Sequence, residues 1–327
     1  MYKQCKAILI ISLLITNVAF ATSKLSTPDI DDIEYPDEEE HSQSEIELGK
    51  TLFFDTRLSS NQKQSCATCH NPDLGFGDGL KTSLGTMGEH VGRNAPHLYN
   101  LAWGAIFFWD GRAATLEEQA LGPIAAPGEM NLPLTELIPR LAKVDFYRKQ
   151  FSDIYDDGLT LNNVGRAIAA FERTIISTNS PFDKYIAGDK SAMSPAAIAG
   201  MKLFEGKARC VKCHDGANFT DDSFHNIGVS DVAADQGRGG IIKSASFNGA
   251  FKTPGLRNTL LTAPYMHDGS EATLEDVIRF YNMGGKHKQN LSNLILPLNL
   301  TENEILELIA FLGALTAHVQ IERPQIP

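Results

Sequence analysis

Two short runs carry the most specific chemistry in this sequence: Cys66-Ala-Thr-Cys69-His70 and Cys210-Val-Lys-Cys213-His214. Cys-x-x-Cys-His is the attachment signature of c-type haem. Two thioether bonds fix the porphyrin, and the adjacent histidine is placed to ligate the iron from one side. An exported chain would ordinarily use its cysteines in disulfides, yet here every cysteine after Cys5 belongs to one of these runs. A zinc site assembled from both pairs is the competing chemistry. Zinc would not require a histidine directly after each pair. Two covalently bound haems are therefore expected, with His70 and His214 as iron ligands.

What occupies the opposite face of each iron decides between an electron carrier, with both axial positions filled, and an enzyme, with one left open. In the second half Leu274, Val277, Ile278 and Tyr281 recur at i, i+3, i+4 and i+7, the inward face of a helix that begins after Thr273. Met283 lies about 160° round the same helix at 100° per residue. The spacing turns Tyr281 toward the core and leaves open whether it ligates iron or only packs.

The elements that must position these groups read as helices. Ser194-Pro195 gives an N-cap with proline at the first helical position. Thr115, Thr273 and Thr301 each stand three residues before an acid, in capping-box form. Alternating strand patterns are scarce. A weak duplication, Gly49-Lys-Thr-Leu-Phe53 before the first haem motif and Gly200-Met-Lys-Leu-Phe204 before the second, suggests two similar domains, the first copy having an extra loop from Asp55 to Ser65. Glycine-rich loops over 74–92 and 228–240 would wrap the haem edges.

The length of 327 residues suits two domains, and 43% apolar with 21% charged residues is the composition of a globular protein. Lys3 and Lys6 precede the apolar run from Ala7 to Leu14, and Ala19-Phe-Ala21 offers a small-x-small site. This reads as a secretory signal peptide cleaved after Ala21 and so as a periplasmic location, and no later segment suits a membrane span. Of the net charge of −11, ten acids lie between Leu25 and Gly49, where there is no Lys or Arg. That stretch reads as a solvated, disordered linker. No basic patch is present, so nucleic acid is not an expected partner. The organisation expected is a signal at 1–21, an acidic linker at 22–44, a first cytochrome c domain at 45–190 and a second at 191–327, in an all-α fold.

Several longer runs extend the reading. Phe108-Trp-Asp-Gly-Arg-Ala113, Glu118-Gln-Ala-Leu-Gly-Pro123, Glu129-Met130, Thr253-Pro-Gly-Leu-Arg-Asn258 and Thr262-Ala-Pro-Tyr-Met-His-Asp-Gly269 resemble the bacterial dihaem cytochrome c peroxidases. The resemblance covers nearly everything from about 45 to 318. Phe280-Tyr-Asn-Met-Gly-Gly285 resembles the MauG-like branch, in which a tyrosine stands where the ordinary peroxidases have an axial methionine. Carried over residue by residue, the resemblance makes Tyr281 the distal ligand of the second haem. It makes Trp109 an electron relay between the haems, Glu129 the acid–base group beside the first iron and Gln119 the residue that orients peroxide. Asn94, Thr262 and Pro264 match a calcium site, and Arg112, Arg257, His267 and Asp235-Gln-Gly-Arg238 match haem-propionate or loop-packing positions. Where the ordinary peroxidases can place a capping histidine over the first iron, this sequence has Thr86, with His90 nearby as the substitute.

The expected protein is thus a periplasmic dihaem peroxidase. It would reduce hydrogen peroxide at the first haem with electrons passed through the second from a small cytochrome c or cupredoxin. A phenolate ligand donates charge to iron where a thioether donates little, which favours strongly oxidising chemistry. Oxidation of side chains on a partner protein is therefore the alternative reaction, and a dihaem electron carrier is the non-enzymatic one.

Overall fold

A computed structural model describes residues 24–36 and 40–327. The expected signal peptide at 1–21 lies outside the described residues. The chain is mainly helical. Its first half runs through α1 (Gln43–Phe54), α2 (Cys66–Cys69), α3 (Leu116–Ala125), α4 (Leu134–Leu141), α5 (Asp145–Ile154) and α6 (Leu161–Arg173). Its second half runs through α7 (Pro181–Ile186), α8 (Pro195–Glu205), α9 (Arg238–Ile242), α10 (Leu274–Asn282) and α11 (Glu302–Ala314). Two-residue strands β1 (Phe224–His225) and β2 (Phe251–Lys252) pair antiparallel between them.

The helix starts follow from local chemistry. Ser194 Oγ accepts from the Ala197 N–H with Pro195 at the first helical position. Thr273 with Asp276 and Thr301 with Glu304 close reciprocal capping boxes. Thr115 accepts from the Glu118 N–H, while the Glu118 carboxylate reaches the Ala114 N–H instead. Each cap satisfies amide donors that a helix leaves orphaned at its first turn.

The buried residues of each half are organised about a crossing pair of helices. In the first, α1 lies on α6, and a Cβ added at Gly49 would be driven into the carbonyl of Ala167 and against Phe171 Cβ. In the second, α8 lies on α11, and a Cβ at Gly200 would meet the carbonyl of Glu307 and Phe311 Cβ. Only glycine lets the backbones approach this closely. The duplicated Gly-x-x-Leu-Phe runs are therefore duplicated contacts, with Phe53 and Phe204 both buried behind them.

Three connections depart from the expected organisation. Phe182 of α7 is buried in the second core beside Phe219 and Phe311, so α7 packs with the half after it. The polar turn at 188–190 reads like a boundary, but the change of core precedes Ser180. The acidic stretch is not a free linker over its described part. Leu25 is buried and bridges Gly216 of the second half, while the Asp29 carbonyl accepts from Trp103 Nε1 of the first at 3.1 Å. Its acids mask the few apolar residues, Leu25 and Ile33, that dock it. The tail beyond α11 returns to the first half: Val319 and Ile321 pack against the core that holds Phe53 and Phe76, and Arg323 pairs with Asp73 at 2.6 Å.

Candidate active site

A cavity of about 770 Å³ runs through both halves, and both Cys-x-x-Cys-His runs line it. Its first chamber is lined by Cys66, Cys69 and His70, its second by Cys210, Cys213 and His214. All four sulfurs are unpaired. Burial pushes the Cys66 and Cys69 thiols up, Cys210 to about 12 and Cys213 to about 11. Buried, neutral sulfur suits a thioether. Among the described residues the only grouping of three metal-ligand side chains is Cys213, Asp221 and His225. The four cysteines are therefore not gathered into one zinc site.

The two histidines are held alike. His70 Nδ1–H donates to the Phe76 carbonyl at 3.1 Å and His214 Nδ1–H to the Phe219 carbonyl at 2.9 Å. Phe76 and Phe219 both take left-handed backbone conformations, φ 59° and 58°, uncommon for bulky residues. Burial holds both rings below the usual histidine range. Each imidazole thus carries a proton on Nδ1, with the Pro96 or Pro254 backbone as a further contact, and burial favours its neutral form, the tautomer a metal-ligating histidine needs. The donor sets fit haem in both chambers.

The rest of the lining differs between the chambers. In the second chamber, Leu274, Val277, Ile278 and Tyr281 of α10 all line the cavity, the face read from their spacing, while Met283 is 58% exposed. Burial pushes the Tyr281 phenol up, with the nearby Cys210 and Cys213 sulfurs adding to this. In the first chamber, Gln119 from α3 and Glu129 from the turn after it line the wall. Burial raises the Glu129 carboxyl, opposed by the nearby Arg112. The loop around Gly85 clamps this turn: Thr86 N–H donates to the Glu129 carbonyl at 2.9 Å, and Gly85 packs directly on the Gly128 carbonyl. Neither Thr86 nor His90 lines the cavity. His90 is exposed, with Nδ1 on the Thr82 carbonyl at 2.7 Å.

Trp109 sits where the halves meet. Its Nε1–H donates to the Asn94 carbonyl at 2.9 Å, its own carbonyl accepts from Lys252 of β2 at 2.8 Å, and its ring stands edge-on to His267 at 6.5 Å. Asn94, Thr262 and Pro264 line the cavity there. The Asn94 amide nitrogen is held by the carbonyls of Leu80 and Lys81 at 3.1 and 3.3 Å, which fixes the direction of its side-chain oxygen.

Other sequence-predicted residues resolve into scaffolding. Arg257 is 1% exposed and forms a two-pronged pair with Asp183, both contacts 3.0 Å, while its Nε holds the Ala217 carbonyl beneath His214. These contacts tie the loop after His214 to α7. Arg238 holds the Gly111 carbonyl at 2.6 Å, and His267 stacks on Phe251 at 3.6 Å.

Sequence reasoning missed three features. Arg93 joins the halves by pairing with Asp110 at 2.6 Å and Asp235 at 2.7 Å. His97 Nε2 contacts the Gly255 carbonyl at 2.9 Å from inside the cavity. Glu172, 5% exposed, lines the first chamber with one carboxylate oxygen unpartnered. Only the last had a readable signal, an acid four residues after Ile168 on an otherwise apolar helix face.

Comparison with known proteins agrees with this geometry. The profile of a family described as di-haem cytochrome c peroxidase matches residues 43–191. Methylamine utilization protein MauG of Methylorubrum extorquens is 43% identical over 287 residues, covering 86% of this chain and 81% of that protein. Cytochrome c551 peroxidase of Nitrosomonas europaea is 37% identical over 277 residues, covering 83% of this chain and 79% of that protein. Among solved structures, a MauG-like protein associated with microbial copper homeostasis superposes with a TM-score of 0.80 at 32% identity, covering 86% of this chain and 92% of the other. The diheme peroxidase BthA of Burkholderia thailandensis, at 23% identity and a TM-score of 0.75 over 89% of each chain, shares the fold. With its paired Cys-x-x-Cys-His runs in one cavity and these relatives along most of its length, the chain belongs to the bacterial dihaem cytochrome c peroxidase and MauG-like family of oxidoreductases.

Proposed function

We propose that this chain reduces hydrogen peroxide in the first chamber, with electrons delivered through the second by way of Trp109. The observation that carries the reading is the asymmetry of two otherwise matched chambers. Both hold a neutral histidine by the same carbonyl contact. Besides it, the lining of the second includes a phenol and that of the first an amide and a carboxyl. In this reading each half is a cytochrome c domain with one covalently attached haem c, with His70 ligating the first iron, and His214 and Tyr281 the second. Haem iron supplies the redox chemistry by which peroxide is split.

The protein's own groups manage protons and position. Gln119 orients the bound peroxide. Glu129 takes the proton from the inner peroxide oxygen and returns it to the outer, leaving one, so that water rather than hydroxide departs. Its half-buried setting suits this, because desolvation raises its proton affinity toward working pH. Asn94, Thr262 and Pro264 would hold a calcium ion through hard, neutral oxygen donors. In this reading the reductant is a small cytochrome c or cupredoxin and the compartment is the periplasm.

A second reading, oxidation of side chains on a partner protein, is favoured by Tyr281, since a phenolate supports more strongly oxidising chemistry than a thioether. No helix among the described residues is long and apolar enough to cross a membrane. One experiment tests the central reading. With neither Thr86 nor His90 on the wall of the first chamber, the fully ferric protein should react with peroxide at once. If only the half-reduced protein reacts, a ligand caps the first iron and the open-chamber reading fails.

A further inference from the structure

The duplication allows the two chambers to be compared position by position. Gly49 meets Ala167 and Phe171 as Gly200 meets Glu307 and Phe311, so α6 and α11 align with Ala167 on Glu307 and Phe171 on Phe311. One residue further along each helix, Glu172 aligns with Leu312. Both are buried and both line the cavity. The preceding turn is apolar in both copies, Ile168 and Leu308, and also lines it. The fold at this position is thus satisfied by leucine. In the first chamber it carries instead a carboxyl whose Oε2 has no hydrogen-bond partner. An unpartnered buried carboxyl costs stability, and no packing need explains it.

We propose that Glu172 is a proton-holding residue of the first chamber: its carboxyl binds one proton from solvent as the haem held there gains one electron from the reductant, and releases it when that electron leaves. This rests on the reading that the first half carries a haem. The groups acting on Glu172 are Arg173 on its own helix, Glu117 on α3 and the Cys66 sulfur on α2. Arg173 is itself paired with Glu117 at 2.6 Å and touches His41 at 3.3 Å. Charged groups on the other elements against α6 are engaged elsewhere: Glu45 of α1 with His41 and Tyr155, Lys50 of α1 with Glu47, Arg140 of α4 with the carbonyls of Arg57 and Ser59. Burial pushes the Glu172 carboxyl up to about 8, Arg173 opposing and Glu117 adding. Positive charge arriving in the chamber lowers its proton affinity and negative charge raises it. Between those two affinities, reduction takes up a proton, so the potential falls as pH rises.

The holoprotein can be titrated by spectroelectrochemistry across about pH 6 to 9, a span that brackets a carboxyl raised this far. The expected result is a first-haem potential that falls by up to ~59 mV per pH unit, the one-electron equivalent of a tenfold change in proton activity. Glu172→Gln and Glu172→Leu, the latter copying the second chamber, should flatten that dependence and leave the second haem's potential in place. Redox-difference infrared spectra should show a protonated carboxyl band in the reduced parent that both variants lack. A flat parent titration overturns the proposal, as does a slope or band that survives in either variant, or a slope lost in Glu129→Gln instead. If the variants do not take up haem, the parent titration and infrared band alone decide. A chain that binds no haem would give no wave at all, which is failure of the underlying reading and distinguishable from a flat one.

Discussion

At the scale of single residues, the proposed chemistry rests on carboxyls and a phenol that share one cavity with two similarly held histidines. Glu129 offers the sharpest test. Glu129→Gln should keep both haems and their resting spectra, yet slow the peroxide reaction by roughly 10²–10⁴-fold, the contribution of a positioned acid–base group. Glu129→Asp should lose less, since it keeps the carboxyl. The sign of the pH dependence follows from the role. To accept the peroxide proton Glu129 must first be ionised, and burial places its ionisation above the usual carboxylate range. The parent's rate should therefore fall as pH drops through that raised value, and the Gln variant should lack this limb. Stopped-flow rates at several pH values check both, and equal rates in parent and variant would remove the carboxyl from the mechanism. Tyr281 is tested through the spectrum: Tyr281→Phe should alter the ferric bands of the second haem, and unchanged bands would exclude the phenol as a ligand. The sequence made Cys66, Cys69, His70, Cys210, Cys213 and His214 legible because covalent attachment fixes their spacing along the chain. Glu129, Gln119 and Trp109 meet the cavity through tertiary folding alone, and nothing in their local spacing announces it. Only the family resemblance pointed to them.

Helices were legible where their ends are written in capping chemistry, and the four expected caps at Thr115, Ser194, Thr273 and Thr301 all form. Connections were less legible, because docking of a loop depends on one or two apolar residues among many polar ones. Leu25 and Ile33 were hidden in this way among the acids, and Phe182 lay behind a turn that reads as a boundary. The crossing pairs give the element scale its own prediction. Gly200→Ala would force a methyl into the Glu307 carbonyl on α11, an overpacking of backbone on backbone that should cost ~1–3 kcal/mol or more. Gly313→Ala, on the same α11, meets only Leu260 Cδ2 at 3.8 Å, an ordinary contact. It should be neutral or stabilise by up to ~1 kcal/mol, as alanine does in a helix. The denaturant midpoint should therefore fall in the Gly200→Ala holoprotein and hold or rise in Gly313→Ala. If Gly200→Ala leaves the midpoint unchanged, the helices do not cross as closely as described.

At the scale of the whole molecule, the proposed relay depends on how the halves are held at Trp109. Four ties join the halves: the Arg93 pairs to Asp110 and Asp235, the segment that bridges Gly216 through Leu25 and Trp103 through Asp29, the tail that returns to Asp73, and Asn94. Asn94 has a special position, because its carbonyl receives Trp109 Nε1 and its N–H donates to the His267 carbonyl at 2.8 Å. The proposed relay ring and the second half's loop thus share one asparagine. A calcium ion on its side-chain oxygen and on Thr262 and Pro264 would lock that asparagine across the junction. Chelation should then loosen Trp109 without separating the halves, since the Arg93 pairs involve no metal. The expected outcome of prolonged chelation is slower electron exchange between the haems, with helical content and denaturant midpoint largely kept and full recovery on adding Ca²⁺. Asn94→Ala should reproduce the slow exchange and make it insensitive to chelator. Metal analysis that finds no calcium in purified protein, together with exchange rates that chelation does not alter, would leave Asn94 as a hydrogen-bonding support for Trp109 and nothing more. If exchange slows only when the denaturant midpoint collapses, the ion holds the fold rather than the relay.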